Sequence, residues 1–119
     1  MCVRPTDQES IDQLKKASES AIYNGLSAAQ IERLALLSEE MGEAQQIIGK
    51  ILRHGYRSYH PDDPEKQSNQ TLLATELGHV YAAMQMMVLK DDISAFIIEI
   101  SRGAKHENVK RWLRHQNEK

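Results

Sequence analysis

The chain has 119 residues, 40% of them apolar and 27% charged, with a net charge of −2. These values fit one soluble globular domain that spans residues 1–119 and buries a core without disulfides. They lack the basic excess that a nucleic acid polymer would call for as a partner.

Aromatic residues make up only 5%, so the core must be mainly Leu, Ile, Ala and Met, which suits helices better than sheets. Cys2 is the only cysteine, which excludes an intramolecular disulfide and fits a reducing, cytoplasmic setting. No apolar run occupies the first ten residues, so no signal peptide is expected. No stretch approaches the ~18 apolar residues of a membrane span, so no membrane partner is expected either.

A first helix is predicted from Asp7 to about Asn24, with Ile11, Leu14, Ala17, Ala21 and Ile22 at helical spacing and Gly25 as its stop. Ser27-Ala-Ala-Gln30 matches a capping box and opens a second helix that runs to about Arg53 and stops at Gly55. Residues 54–68 hold Pro61 and Pro64 and form the one long irregular loop. A third helix is expected from Asn69 to about Lys90. Asp91 or Asp92 is the expected cap of a fourth, with Ile93, Phe96, Ile97 and Ile100 on one stripe. Gly103 is a candidate break before Val109, Trp112 and Leu113. The expected architecture is an all-α antiparallel four-helix bundle.

Glu39, Glu40 and Glu43 cluster on the second helix. Acidic runs on helices usually face solvent. A helical wheel argues otherwise here. At about 100° per residue, Leu34, Leu36, Leu37, Met41, Ala44, Ile47, Ile48 and Ile51 form the apolar arc, and Glu40 falls inside it. Glu43 lies on its edge and Glu39 further out, near Lys50. On the third helix Glu76 falls between Ala83 and Met87, again inside the apolar arc, with His79 on the edge. Burying an ionised carboxylate costs several kcal/mol unless it is paired or bound to a cation. Arg33, also within the arc, is one candidate partner. The other is a divalent ion held by Glu40, Glu43, Glu76 and His79, since i, i+3 spacing lets each pair converge on one side of a helix turn.

The motif Glu39-Glu40-Met-Gly-Glu43, followed by Glu76-Leu-Gly-His79-Val, resembles the signature of the MazG-like nucleotide pyrophosphohydrolases, an all-α family with E-x-x-E on one helix and E-x-x-D on the next. Asn108-Val-Lys110-Arg111-Trp-Leu-Arg114 is similar to the family's basic tail. The resemblance implies hydrolysis of a nucleoside triphosphate to the monophosphate and pyrophosphate, with magnesium as cofactor, in a homodimer or higher homo-oligomer. It implies Glu40, Glu43, Glu76 and position 79 as metal ligands. Glu39 or Glu40 would activate the water. Lys50, Arg53, Lys110, Arg111 and Arg114 are candidates for phosphate contacts, and Tyr56, Tyr59 and Trp112 for stacking on the base. His79 stands where the family has Asp. Imidazole suits manganese better than magnesium, so manganese is the alternative cofactor. Two other readings stay open: a related module that binds nucleotides or a protein partner without turnover, and a di-iron carboxylate bundle, suggested by Glu76-x-x-His79 alone.

Overall fold

The computed structural model describes residues 5–20 and 24–118, and all regular structure among them is helical, without strands. In chain order the elements are α1 (Pro5–Ser20), α2 (Ala28–His54), α3 (Asn69–Leu89), α4 (Ala95–Asn108) and a terminal 3-10 turn (Val109–Arg111). Ala21 and Ile22 of the expected first stripe, the side chain of Ala17, and Cys2 lie outside the described residues.

The local signals explain where α2 and α3 begin and end. Ser27 Oγ accepts from the Gln30 amide at 3.1 Å, and Gln30 Oε1 accepts from the Ser27 amide at 2.8 Å, completing the capping box. Gly55 ends α2 at φ +90°, a backbone angle that glycine adopts without steric cost. Ser68 caps α3 by accepting from the Thr71 amide at 3.2 Å. The loop between them is held by its own hydrogen bonds. The Asp63 carboxylate accepts from the amides of Glu65 (3.0 Å) and Gln67 (2.8 Å). The Asn69 amide donates to Ser58 O and the Gln70 amide to Tyr56 O.

The most extensive helix contact joins α2 to α3. The two helices run antiparallel, because Arg33 near the start of α2 meets Asp92 beyond the end of α3, while Gly55 after α2 meets Asn69 at the start of α3. Ala44, Ile47, Ala83 and Met87 are the buried apolar residues of this seam. The predicted arc is wider than the seam. Leu34, Met41 and Ile48 of α2 and Leu77 of α3 are exposed.

Three expectations are corrected. Neither Asp91 nor Asp92 caps α4; Ser94 does, accepting from the Ile97 amide at 3.2 Å. Asp92 is engaged elsewhere, and Asp91 sits at φ +59°. Ile93 therefore precedes α4. Gly103 does not interrupt that helix, which continues to Asn108; one glycine costs a helix only about 1 kcal/mol. Finally, α3 is long and apolar enough by length and composition to cross a membrane, which inspection for an unbroken apolar run does not reveal, because Glu76 and His79 divide it. Those two residues face the seam with α2.

Arg33 Nε and Nη2 donate to the two Asp92 oxygens at 2.6 and 3.1 Å. These bonds hold the Asp92 carboxyl below the ordinary aspartate range, against the opposing effect of desolvation. A depressed folded-state pKa stabilises the fold above the ordinary aspartate value, and the gain is lost as pH falls through the depressed one. Asp92→Asn is expected to lower the melting temperature at neutral pH, with the gap to the parent closing on acidification. Thermal unfolding across pH 2–7, followed by circular dichroism, checks this.

Candidate metal centre

Glu40 and Glu43 on α2 and Glu76 and His79 on α3 meet across the seam, and one ligand atom from each lies within 4.8 Å of the others. The side chains of Glu40 and Glu76 are only 16% and 17% exposed, whereas that of His79 is 52% exposed. His79 Nδ1 lies 3.2 Å from Glu76 Oε2 and 3.4 Å from Glu40 Oε2. The second contact lacks hydrogen-bond geometry. Glu40 Oε2 is fully buried and accepts no hydrogen bond.

Arg33 does not compensate these acids, contrary to the simpler expectation. It is bound at both ends of its fork to Asp92. Among the described residues no Lys or Arg forms an ion pair with Glu40, Glu43 or Glu76. The acids instead shift one another's titration. Hydrogen bonding to Glu76 and its charge, with further repulsion from Glu40, push the Glu43 carboxyl above the ordinary glutamate range. Desolvation acts to raise Glu76, but its interactions with Glu43, His79 and Glu40 outweigh it and leave Glu76 below that range. The two carboxyls thus titrate as a pair, Glu43 above the ordinary range and Glu76 below it.

This donor set fits a divalent cation. Three carboxylates and one imidazole, on two rigid helices, suit magnesium in their oxygens and manganese or iron in the added nitrogen. The orphaned Glu40 oxygen is the particular that a cation would satisfy.

The other candidate residues divide into three groups. Glu39 is exposed on α2 beside the cluster and adds to the repulsion on Glu43. Lys50, Arg53 and Tyr59 come together, lining a cleft at the far end of α2 with His54, His60 and Asn69; Tyr56 is not among its walls. Lys110 and Arg114 line a separate pocket formed by the C-terminal segment, where Lys110 pairs with Glu107 at 3.0 Å. Arg111 and Trp112 are exposed in that segment, which packs on α4 and is not drawn toward the acids. The wheel located the acids, but it missed the role of Asn69, which is only 5% exposed and whose Nδ2 donates to Gly55 O at 3.3 Å. Only its place beside a Ser cap hinted at it.

Compared with protein-family models, curated proteins and solved structures, the chain has no match.

The raised Glu43 carboxyl gives a direct test of the centre. Because the Glu43 pKa is raised, metal-free stability falls as pH climbs from the ordinary glutamate range through the raised value. Glu43→Gln is expected to melt a few degrees above the parent at neutral pH without metal, the difference vanishing in acid. Saturating manganese at about a hundredfold its Kd is expected to raise the parent's Tm by roughly 10 °C and to leave Glu43→Gln nearly unmoved. Scanning calorimetry with and without metal checks both.

Proposed function

We propose that this chain is a metal-dependent nucleoside triphosphate pyrophosphohydrolase of MazG-like type, converting an NTP or dNTP and water to the monophosphate and pyrophosphate. The observation that carries the reading is the buried, unpartnered Glu40 oxygen within a four-residue ligand cluster on two antiparallel helices. In a purely structural acidic patch this oxygen would face solvent or accept a hydrogen bond, and Glu40 Oε2 does neither.

Glu40, Glu43, Glu76 and His79 would hold the cation. When bound, it supplies charge neutralisation at the phosphate oxygens and lowers the pKa of a water molecule. Glu39, adjacent to the cluster and exposed, would accept the proton from the water that attacks the α-phosphorus. The bond that breaks joins the α-phosphorus to the bridging oxygen, which leaves with the pyrophosphate. Because the Glu43 carboxyl is held above the ordinary glutamate range, cation binding there would compete with protons, and affinity would fall as the pH is lowered.

Purified protein incubated with each common NTP and dNTP, with magnesium and separately with manganese, is expected to release pyrophosphate. Glu40→Gln and Glu76→Gln should each reduce that release by at least about a hundredfold. His79→Asp is expected to shift the preference toward magnesium. Nucleotide binding without turnover under every condition, unrescued by His79→Asp, would instead favour the non-hydrolysing module. An iron-dependent optical spectrum would favour the di-iron bundle.

The reading includes a homo-oligomer in which helices of several copies complete antiparallel bundles. The chain exposes 10461 Å², whereas a compact monomer of 13.6 kDa exposes about 6,600 Å². Its radius of gyration is 22.4 Å, against about 13.5 Å for a compact domain of this length. The excess of about 3,900 Å² per chain is above the roughly 1,000–2,500 Å² that each subunit contributes to a typical obligate interface, so it leaves room for more than one subunit contact. Phe96, Ile97 and Ile100 of α4 and Leu34, Met41 and Ile48 of α2 supply apolar faces for it. Sedimentation equilibrium is expected to give a mass of at least twice that of the chain, and Ile97→Glu with Ile100→Glu to reduce it.

A further inference from the structure

The hairpin of α2, loop and α3 is closed by the chain at one end only, where the loop joins Gly55 to Asn69. At the open end Arg33 and Asp92 stand 59 residues apart in sequence and meet as a two-pronged ion pair. Their side chains are only 14% and 9% exposed. Both partners are anchored to their helices. Arg33 projects from the second turn of α2. Asp92 is held by the way α3 ends. Its amide donates to Met87 O at 2.9 Å and the Asp91 amide to Val88 O at 3.0 Å, the two bonds of a Schellman motif. That motif needs a left-handed residue where glycine is usual, and Asp91 fills the position at φ +59°. The chain thus accepts a disfavoured backbone angle in the turn that carries Asp92.

The apolar part of the seam does little to fix how far one helix slides along the other. Its buried residues are Ala44, Ile47, Ala83 and Met87, and among the described residues no large side chain is fully buried. Alanine offers no knob to seat in a neighbour's groove, and methionine adapts its shape. The charges of Glu40 and Glu76 act against Glu43 rather than drawing the helices together. The acid cluster nevertheless demands accurate register. Its ligand atoms lie within 4.8 Å of one another, and a slip of one helical turn moves a residue by about 5.4 Å. Arg33 precedes Glu40 by seven residues on one helix, so the two are offset by only about 20° and lie about 10.5 Å apart along the axis. A displacement at the fork therefore reaches the cluster undiminished.

We infer that Arg33 and Asp92 are positioning residues, whose fork sets the register of α2 against α3 and thereby assembles Glu40 and Glu43 with Glu76 and His79. The fork touches none of those four and acts through the two helices. Its effect on cation binding rests on the metal-centre reading. The register itself does not.

Two readouts on the full chain separate these. The first is metal-free. Nitroxide labels at Gln46→Cys and Gln85→Cys, both exposed positions, in a Cys2→Ser background diluted with unlabelled chain, report the α2–α3 distance by pulsed electron paramagnetic resonance. The parent is expected to give one narrow distribution, and Arg33→Met or Asp92→Asn to broaden it or shift it by up to about 5.4 Å, one helical turn. The second readout is manganese titration. Both variants should bind on the order of tenfold more weakly than the parent, and Arg33→Lys, which keeps the charge but not the fork, should lose less. Adding Asp91→Gly to Asp92→Asn separates register from stability. Glycine relieves the left-handed angle and is expected to return a few degrees of melting temperature, while label distance and affinity stay those of Asp92→Asn. Circular dichroism confirms that each variant is folded, and Arg33→Lys carries the comparison if Asp92→Asn is not. An unchanged label distance, an unchanged manganese affinity beside a parent that binds, or an affinity that returns with melting temperature in the double variant would overturn the inference. A shifted distance in a protein that binds no manganese would sustain the register role and sink the metal-centre reading alone.

Discussion

The electrostatic cost of the α2–α3 seam governs the rest of the structure. Two helices meet along a strip that contains Ala44 and Ala83, small enough to bring the backbones close, and on that strip lie three carboxylates. A seam designed only for stability would carry leucine at those positions. What limits the cost is partial access to solvent and the half-exposed His79, which lies against both Glu40 and Glu76. The seam remains unfinished at the Glu40 oxygen. Rigid helices then matter, because ligands on α2 and α3 hold their separation whether or not a cation is present.

Around this strip the chain fixes the relative position of α2 and α3 at both ends. The Arg33–Asp92 fork ties the start of α2 to the turn after α3, and Asn69 ties the start of α3 to the chain just beyond α2. Between these two fasteners the helices cannot slide by a turn without breaking a buried polar contact at each end. Register, and with it the meeting of Glu40 and Glu43 with Glu76 and His79, is therefore set by polar contacts far from the acids as much as by apolar packing.

Much of this was legible in the sequence, because it depends on local spacing. The capping box at Ser27–Gln30, the stop at Gly55, the proline-bearing loop and the inward placement of Glu40 and Glu76 follow from neighbours within a few residues. What escaped depends on contacts between distant positions. Arg33 looked like a partner for a glutamate on its own or the next helix, but its partner lies 59 residues away in a turn. Asp92 looked like a cap for the same reason that it makes a good ion-pair partner, and the fold uses it once. The wheel gave the direction of the apolar arcs but not their covering, since Leu34, Met41 and Leu77 satisfy helical periodicity and yet stay exposed. The meeting of Lys50 with Tyr59 was also out of reach, because loop hydrogen bonds through Asn69 create it.

Gly49 carries a consequence for which sequences can occupy this fold. A glycine inside a helix is disfavoured relative to alanine by about 1 kcal/mol. Alanine would fit at position 49, its methyl carbon meeting Arg53 Nη1 at 3.5 Å, an ordinary contact. A branched or longer side chain would occupy the space in which the guanidinium lies and push it off the helix surface. A larger residue at position 49 would therefore act on the cleft at the end of α2 through Arg53, one turn further on, turning its exposed guanidinium toward solvent.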